Sequence, residues 1–186
     1  MKKLVPALVA CLAFSAAPAH AAPYEFELPQ RWNEELAPGS HCATPGRTDT
    51  FVDATRRWFK QTDAASVGND TEGAVPVEQT VKEKRVQTLE VSGTFTPKGD
   101  LVKNVSRAYG WKYVHQVTWS LNQVVGPYSL DAGKHGRLMW GFIMLDGDAQ
   151  DVKCSADQVW EPIGTPYDFS VPEARYSELR VEEASL

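Results

Sequence analysis

The sequence predicts an all-β fold, built as a twisted, elongated antiparallel sheet or as a sandwich. Two patterns in the chain indicate it: apolar residues recur at steps of two through its middle, and clusters of Gly, Pro, Asn and Asp separate these stretches. The composition, 42% hydrophobic and 23% charged, is that of a globular protein and excludes wholesale disorder or a fibrous repeat. We expect one domain, since 186 residues lie near the common domain size.

The first 21 residues have the three parts of a secretory signal peptide. Met1–Lys3 is positively charged, Leu4–Phe14 is apolar, and Ala19–Ala21 has the small-x-small pattern of a cleavage site. We therefore divide the chain into a signal peptide (1–21), a secreted β-rich domain (22–170) and an acidic, mobile tail (171–186). The alternative is lipoprotein processing, with the chain anchored at Cys11.

The charge and the hydropathy narrow the range of partners. The mature chain keeps 17 of 19 basic side chains against 24 acidic ones, a net charge of −7, which disfavours a nucleic-acid binder. No later segment approaches the roughly 20 apolar residues of a transmembrane helix. An extracellular ligand that is a protein, a glycan or a membrane surface is the expected partner, and the sequence implies no cofactor.

Cys42 and Cys154 remain after cleavage near Ala21. Two cysteines in an exported chain predict one disulfide between them. Zinc binding is a weaker alternative, because His41 beside Cys42 lacks a second ligand pair at finger-like spacing.

The N-terminal part of the mature chain predicts an arm and a first strand. Residues 22–50 are punctuated by prolines and glycines and predict an irregular arm held by Cys42. The pattern in Thr48–Thr62 predicts a strand, and the small and polar residues of Asp63–Gly73 predict a surface loop.

In the middle of the chain, Val75 to Phe95 follows the strand period. After a turn at Pro97–Asp100, bulky residues alternate with small or polar ones from Val105 to Val125. This predicts a long strand that bends or bulges, with Gly110 as the expected bend, because glycine inside a strand often marks a bulge.

The last third predicts a hairpin and an irregular end. Gly126-Pro127 ends the long strand, Asp131–Gly136 forms a turn, and the apolar run Leu138–Leu145 predicts a strand covered on both faces. Asp146–Asp148 closes that strand, and a short strand follows within Cys154–Trp160. Further on, Pro162, Pro166 and Pro172 argue against a helix or a central strand.

Signatures of common hydrolases and nucleotide-binding proteins are absent, so the sequence predicts no catalytic residue and no metal ligand. The acidic stretch Asp146–Asp151 could offer oxygen ligands to Ca²⁺, but it lacks the EF-hand spacing, and an acidic turn between strands is the favoured interpretation.

Four residues are candidates for ligand binding: Trp111, Tyr113, Trp119 and His135. The three aromatic residues could form a platform for a sugar or a membrane interface, or could instead fill the core, as half-buried sheets require. His135, in a Gly-rich turn, is either a ligand contact or an ordinary loop residue.

The run Val75–Leu145, with its alternating strands and the stretch Ser129–Leu138, resembles secreted bacterial β-proteins of the aerolysin and epsilon-toxin-like type. The resemblance implies an elongated, twisted antiparallel sheet, and it supports the fold more than pore formation. The amphipathic Ser/Thr-rich insertion hairpin of such toxins is not clearly present.

These observations favour a secreted, non-enzymatic β-domain that acts in extracellular or cell-surface binding, with a toxin-like role as one version. Two alternatives belong to other classes. One is a secreted hydrolase with an unfamiliar site that uses His135 with Asp131 or Asp146, and the other is an extracellular protease inhibitor that presents the loop Gly126–Gly136.

Overall fold

The computed structural model describes residues 24–92, 99–110 and 113–182. Strands make up 57% of the described residues and are antiparallel, which confirms the all-β class. In chain order the elements are β1 (Glu25–Phe26), β2 (Thr48–Gly68), β3 (Val75–Thr80), β4 (Arg85–Thr88), β5 (Glu90–Val91), α1 (Leu101–Tyr109), β6 (Gln116–Trp119), β7 (Val124–Leu130), β8 (His135–Cys154), β9 (Trp160–Pro162) and β10 (Tyr167–Val181).

The main sheet is elongated because three of its strands are long. Its order is β1-β2-β8-β10-β5, with β9 paired to the end of β8. Strands β2, β8 and β10 have 21, 20 and 15 residues, well beyond the usual strand length. Two smaller pairs, β3-β7 and β4-β6, make separate two-stranded sheets.

The core is divided into three clusters that follow β8. The first cluster, around Leu138 and Met144, is shared with residues of β6 and β7. The second, around Leu145 and Ala149, packs against α1, and the third, around Val152, packs against the disulfide and the N-terminal arm. As predicted for Leu138–Leu145, both faces of β8 are covered there, since every residue of the run is buried.

The prediction of a strand beginning at Val105 is wrong, because the chain forms α1 instead. Asp100 caps its start by accepting the Lys103 N–H at 3.2 Å, and Gly110 ends it with φ of +67°. Leu101, Val105 and Ala108 fall on one buried face at helical spacing. Gly110 is therefore a helix cap, and the strand that follows is only β6.

Three predicted interruptions of strands are also wrong. β2 continues through Asp63 to Gly68, Gly126-Pro127 lies inside β7, and β8 runs through Asp146–Asp148 to Cys154. At Asp63–Gly68 and Asp146–Asp148, polar residues occur inside the strands because one face is open to solvent there, and at Gly126-Pro127 the register with β3 shifts.

The region from 171 onward is part of the main sheet and is not a tail as far as Val181. Val171 and Pro172 are buried, and β10 pairs with β8 over most of its length. The register shifts between Pro172 and Ala174. A bulge is one of the few places where a sheet accepts proline, which explains why the prolines misled the prediction.

The predicted disulfide between Cys42 and Cys154 is present. Both cysteines are buried, and the bridge joins the irregular arm to the end of β8. The arm itself is irregular apart from β1, as expected from its prolines.

Candidate functional site

The structure separates the aromatic residues that the sequence offers as a binding platform. Tyr113 and Trp119 are each only 5% exposed and belong to different core clusters. The Trp119 Nε1 donates to the carbonyl of Gly141 at 2.6 Å. Trp111 lies outside the described residues. Tyr113 and Trp119 thus pack in the core and do not share a surface.

His135 is exposed and its Nε2 lies 3.5 Å from a carboxylate oxygen of Asp70, at the surface. Asp146 is on the same strand, roughly 36 Å away at 3.3 Å per residue. Its carboxylate accepts instead from the Ser170 hydroxyl at 2.5 Å. The structure therefore does not bring His135 and Asp146 together.

The segment Gly126–Gly136 is mostly strand. β7 extends to Leu130 and β8 begins at His135, so only a short turn protrudes between them. The turn is closed by the Lys134 N–H, which donates to the Asp131 carbonyl at 3.2 Å.

A groove with a volume of about 530 Å³ lies on the open face of the main sheet. Residues of β8 and β10 form its floor, Thr55 and Trp58 of β2 form one wall, and the segment Glu90–Ser92 at β5 forms the other. We call it the acidic groove. Four of its lining residues are acidic, namely Glu90, Asp146, Asp148 and Asp168, and none of the described residues that line it is basic.

Strand register places three carboxylates in one row, and two of them, Asp148 and Asp168, line this groove. Asp148 of β8 is directly opposite Asp53 of β2 on one side and Asp168 of β10 on the other. Neighbouring strands are about 4.8 Å apart, so Asp148 and Asp168 project from one face at that spacing, whereas the Asp53 carboxylate accepts hydrogen bonds from Arg31 and the Tyr109 hydroxyl. All three are exposed, and like charges directly opposite one another destabilise a sheet.

The row shifts the pKa of its middle member. Burial and the neighbouring Asp168 raise the pKa of the Asp148 carboxyl, with a smaller contribution from Asp53. Asp53 is partly neutralised, because a guanidinium nitrogen of Arg31 donates to its carboxylate at 3.1 Å. The negative charge is thus concentrated on the Asp148–Asp168 side of the row.

An ion pair holds the Glu90 wall of the groove. The Lys60 ammonium lies 3.3 Å from the Glu90 carboxylate, although β2 and β5 are separated by two strands in the sheet. The Gln87 amide donates to the same carboxylate at 2.7 Å, and this bond, with Lys60, lowers the pKa of Glu90 despite its partial burial. Glu90 is therefore held in place as a charged wall of the groove.

Trp58 supplies the apolar part of the site. It packs against the core cluster around Met144 and also lines the groove. The Arg56 guanidinium lies 4.5 Å from the centre of its ring and is paired with Glu25. The groove thus offers a cation its carboxylates, while the face of the Trp58 ring is already covered by Arg56.

Within the described ranges, no group of three or more His, Cys, Asp or Glu side chains is arranged to hold a metal ion. In the same ranges, no helix is long and apolar enough to cross a membrane. The chain matches no family model, no curated protein and no solved structure. Its function therefore has to be argued from its own geometry.

The sequence prediction missed Asp53, Trp58, Glu90 and Asp168 as site residues. One signal was present: Asp146-Gly147-Asp148 has aspartates two positions apart, and in a strand that spacing puts both on one face. The sequence favours a turn for this stretch, and two residues of a turn do not share a face in this way.

Proposed function

We propose that the protein is a secreted, non-enzymatic β-domain for extracellular or cell-surface binding, and that its acidic groove takes a positively charged ligand. The observation that carries the proposal is the in-register pair of Asp148 and Asp168, with Asp53 beside Asp148, at a concave surface with no basic lining residue among those described. The leader-like N-terminus and the disulfide support export.

The row of carboxylates costs stability in the free protein. Like charges opposite one another across a sheet repel, and the raised pKa of Asp148 reflects that repulsion together with burial. A polycation would remove the repulsion and gain several charge-assisted contacts at once. Such binding is weakened by salt, because exposed charges are screened.

Calorimetric titration with spermine tests the proposal, with a lysine-rich peptide as a second cationic probe. We expect binding at low ionic strength that weakens as salt is added, and loss of most of it in the double variant D148N/D168N. The matched control is D157N, since Asp157 is exposed and lies outside the groove.

Equal binding by D148N/D168N and D157N would place any cation elsewhere and overturn the proposal. Absence of binding by both probes would do the same. Liposome leakage and a glycan array test the toxin-like and lectin versions of the binding role, which require a response from vesicles or from neutral sugars.

A further inference from the structure

A second concave feature, separate from the acidic groove, lies beside the outer edge of β2. It has a volume of about 270 Å³. One wall is Asp63–Ala65 of β2, with Trp140 of β8 behind it, and the other is the end of β3 with the segment that leads into β4. We call it the edge cleft.

Three consecutive residues of β2 line the edge cleft. Because successive side chains of a strand point to opposite faces, three in a row can line one cleft only along the edge of the strand. The cleft is therefore bordered by main chain. On the opposite wall, Gln79 and Thr80 belong to β3, whose only described partner strand is β7.

The outer edge of β2 already accepts a strand just upstream. β1 pairs antiparallel with it at Arg57 and Trp58, and the Phe59 N–H donates to the Tyr24 carbonyl at 2.9 Å. Beyond Phe59, no described residue pairs with this edge of the strand. An unpaired edge of this kind is a template for another extended chain.

Trp140 adds a second, independent observation. It is 7% exposed and lines the edge cleft, and its indole Nε1 has no acceptor among the described residues. A buried donor without an acceptor is costly, and most such groups in native proteins are satisfied. A main-chain carbonyl of a bound segment would supply the acceptor when the indole turns toward the cleft, since Nε1 itself is buried.

We propose that the edge cleft binds an extended peptide segment of a partner protein, which adds a strand to β2. The charges at the cleft are balanced, with Asp63 and Glu83 against Lys82 and Arg85, and Arg85 donates twice to Asp63. Recognition therefore depends on main-chain pairing and on small side chains opposite Ala64 and Ala65, the mode known as strand addition.

With the cleavage near Ala21 that the sequence predicts, the chain's own N-terminus is too short to fill the edge cleft. β1 runs antiparallel to β2, so residues before Tyr24 would extend toward higher numbers of β2. Ala22 and Pro23 would reach only to about Gln61, short of Ala64. The edge is thus left for another chain.

Hydrogen exchange with and without the peptide acetyl-Thr-Val-Thr-Ala-Thr-Val-amide, on the chain from Ala22, tests the inference. We expect the peptide to slow exchange at Asp63–Ala65, and the same peptide with alternate residues N-methylated to have no effect. W140F keeps an aromatic ring but removes the Nε1 donor. The loss of one neutral hydrogen bond is expected to weaken peptide binding about fivefold. W160F is the matched control, since Trp160 is also buried with an unpartnered Nε1 but does not line the cleft.

No change in exchange, or equal effects of the two peptides, would overturn the inference. Two results without peptide would also overturn it. Slow exchange that becomes fast when Ala22 and Pro23 are deleted would mean that the cleft holds the chain's own end. Slow exchange that depends on protein concentration would mean that it holds a second copy. If W140F does not fold, the comparison of the two peptides on the wild type still decides. The D148N/D168N variant is expected to bind the peptide normally, which separates this site from the acidic groove.

Discussion

The hydroxyl of Tyr109, on the last residue of α1, accepts the main-chain N–H of Ala54 at 2.6 Å. Arg31 donates to the carbonyl of Val52, and the amide of Asn104 donates to that of Thr50 at 2.9 Å. Side chains of the helix and the arm therefore satisfy main-chain groups along the first half of β2. This blocks strand addition there and leaves the second half of the edge as the open part.

Removing the Tyr109 hydroxyl tests this arrangement. We expect Y109F to lower the free energy of unfolding by about 1–3 kcal/mol, since the Ala54 N–H would lose its acceptor in a largely buried place. Urea denaturation measures it. Y24F is the control, because Tyr24 is 45% exposed. Equal stability of Y109F and wild type would contradict the edge-blocking role.

The pair of Arg57 and Glu173 is expected to be among the most sensitive sites in the sheet. Two hydrogen bonds of 2.8 Å join them, and their side chains are 13% and 10% exposed. R57M leaves a buried carboxylate without its partner and should cost about 3–5 kcal/mol. The double variant R57M/E173L should recover most of that loss. A double-mutant cycle from urea unfolding checks both, and additive losses would contradict the coupling.

The pKa of Asp148 gives a prediction with a definite sign. It is raised above 3.8 in the folded protein, by burial and then by Asp168, so the folded state holds this proton more tightly than the unfolded state. The contribution of Asp148 to stability is therefore largest below pH 3.8 and declines as the pH rises through the raised pKa. D148N should remove this decline and be more stable than wild type at neutral pH.

The measurement is the difference in free energy of unfolding between D148N and wild type across the acidic range. Comparison with wild type at each pH is needed because the pKa of Asp49 is shifted in the opposite direction, and the subtraction cancels its contribution. Burial opposes its ionisation, but hydrogen bonds from Asn104 and Thr50 and the nearby Arg47 outweigh burial and lower its pKa, so its contribution is lost as the pH falls. A difference that does not change with pH would contradict the carboxylate row.

The disulfide is expected to contribute strongly to stability, because it joins residues 112 positions apart. Replacing both cysteines by serine should cost about 2–5 kcal/mol. Thermal unfolding of C42S/C154S beside wild type, and of wild type in reductant, measures it. Agreement between the variant and the reduced wild type is the control, and unchanged stability in both would contradict the role.

The sequence predicted the central part of the sheet but not its helix or its end. Leu138–Leu145 is apolar at every position except Gly141. Only a strand or helix that is covered on both faces needs such a run, so β8 could be predicted. The alternation of bulky and small residues in Val105–Tyr109 does not reflect a strand. Asp100 and Gly110 lie at the two ends of a pattern with helical spacing, and they are the signals of a helix start and a helix end. β10 has the apolar alternation by which strands are found only at Tyr167, Phe169 and Val171, and beyond Pro172 charged residues interrupt it.

The acidic groove could be predicted only in part. Asp146 and Asp148 are visible as a pair in the sequence, but Asp53 and Asp168 become their neighbours only through the register of β8 with β2 and β10. Shifting a register by one residue moves every side chain to the other face, and register is set by the packed face, which a single sequence does not reveal.

The pairing of β2 with β8 also determines when the protein can fold. Thr48 pairs with Lys153, so the first long strand waits for a partner that is made about a hundred residues later. Such non-local pairing makes folding slow, because the closure entropy of a long loop is lost before any contact compensates for it. While the chain is being synthesised, β2 has neither β8 nor β10 beside it, and its alternating apolar face stays exposed to aggregation or to chaperones until nearly the whole sequence has emerged.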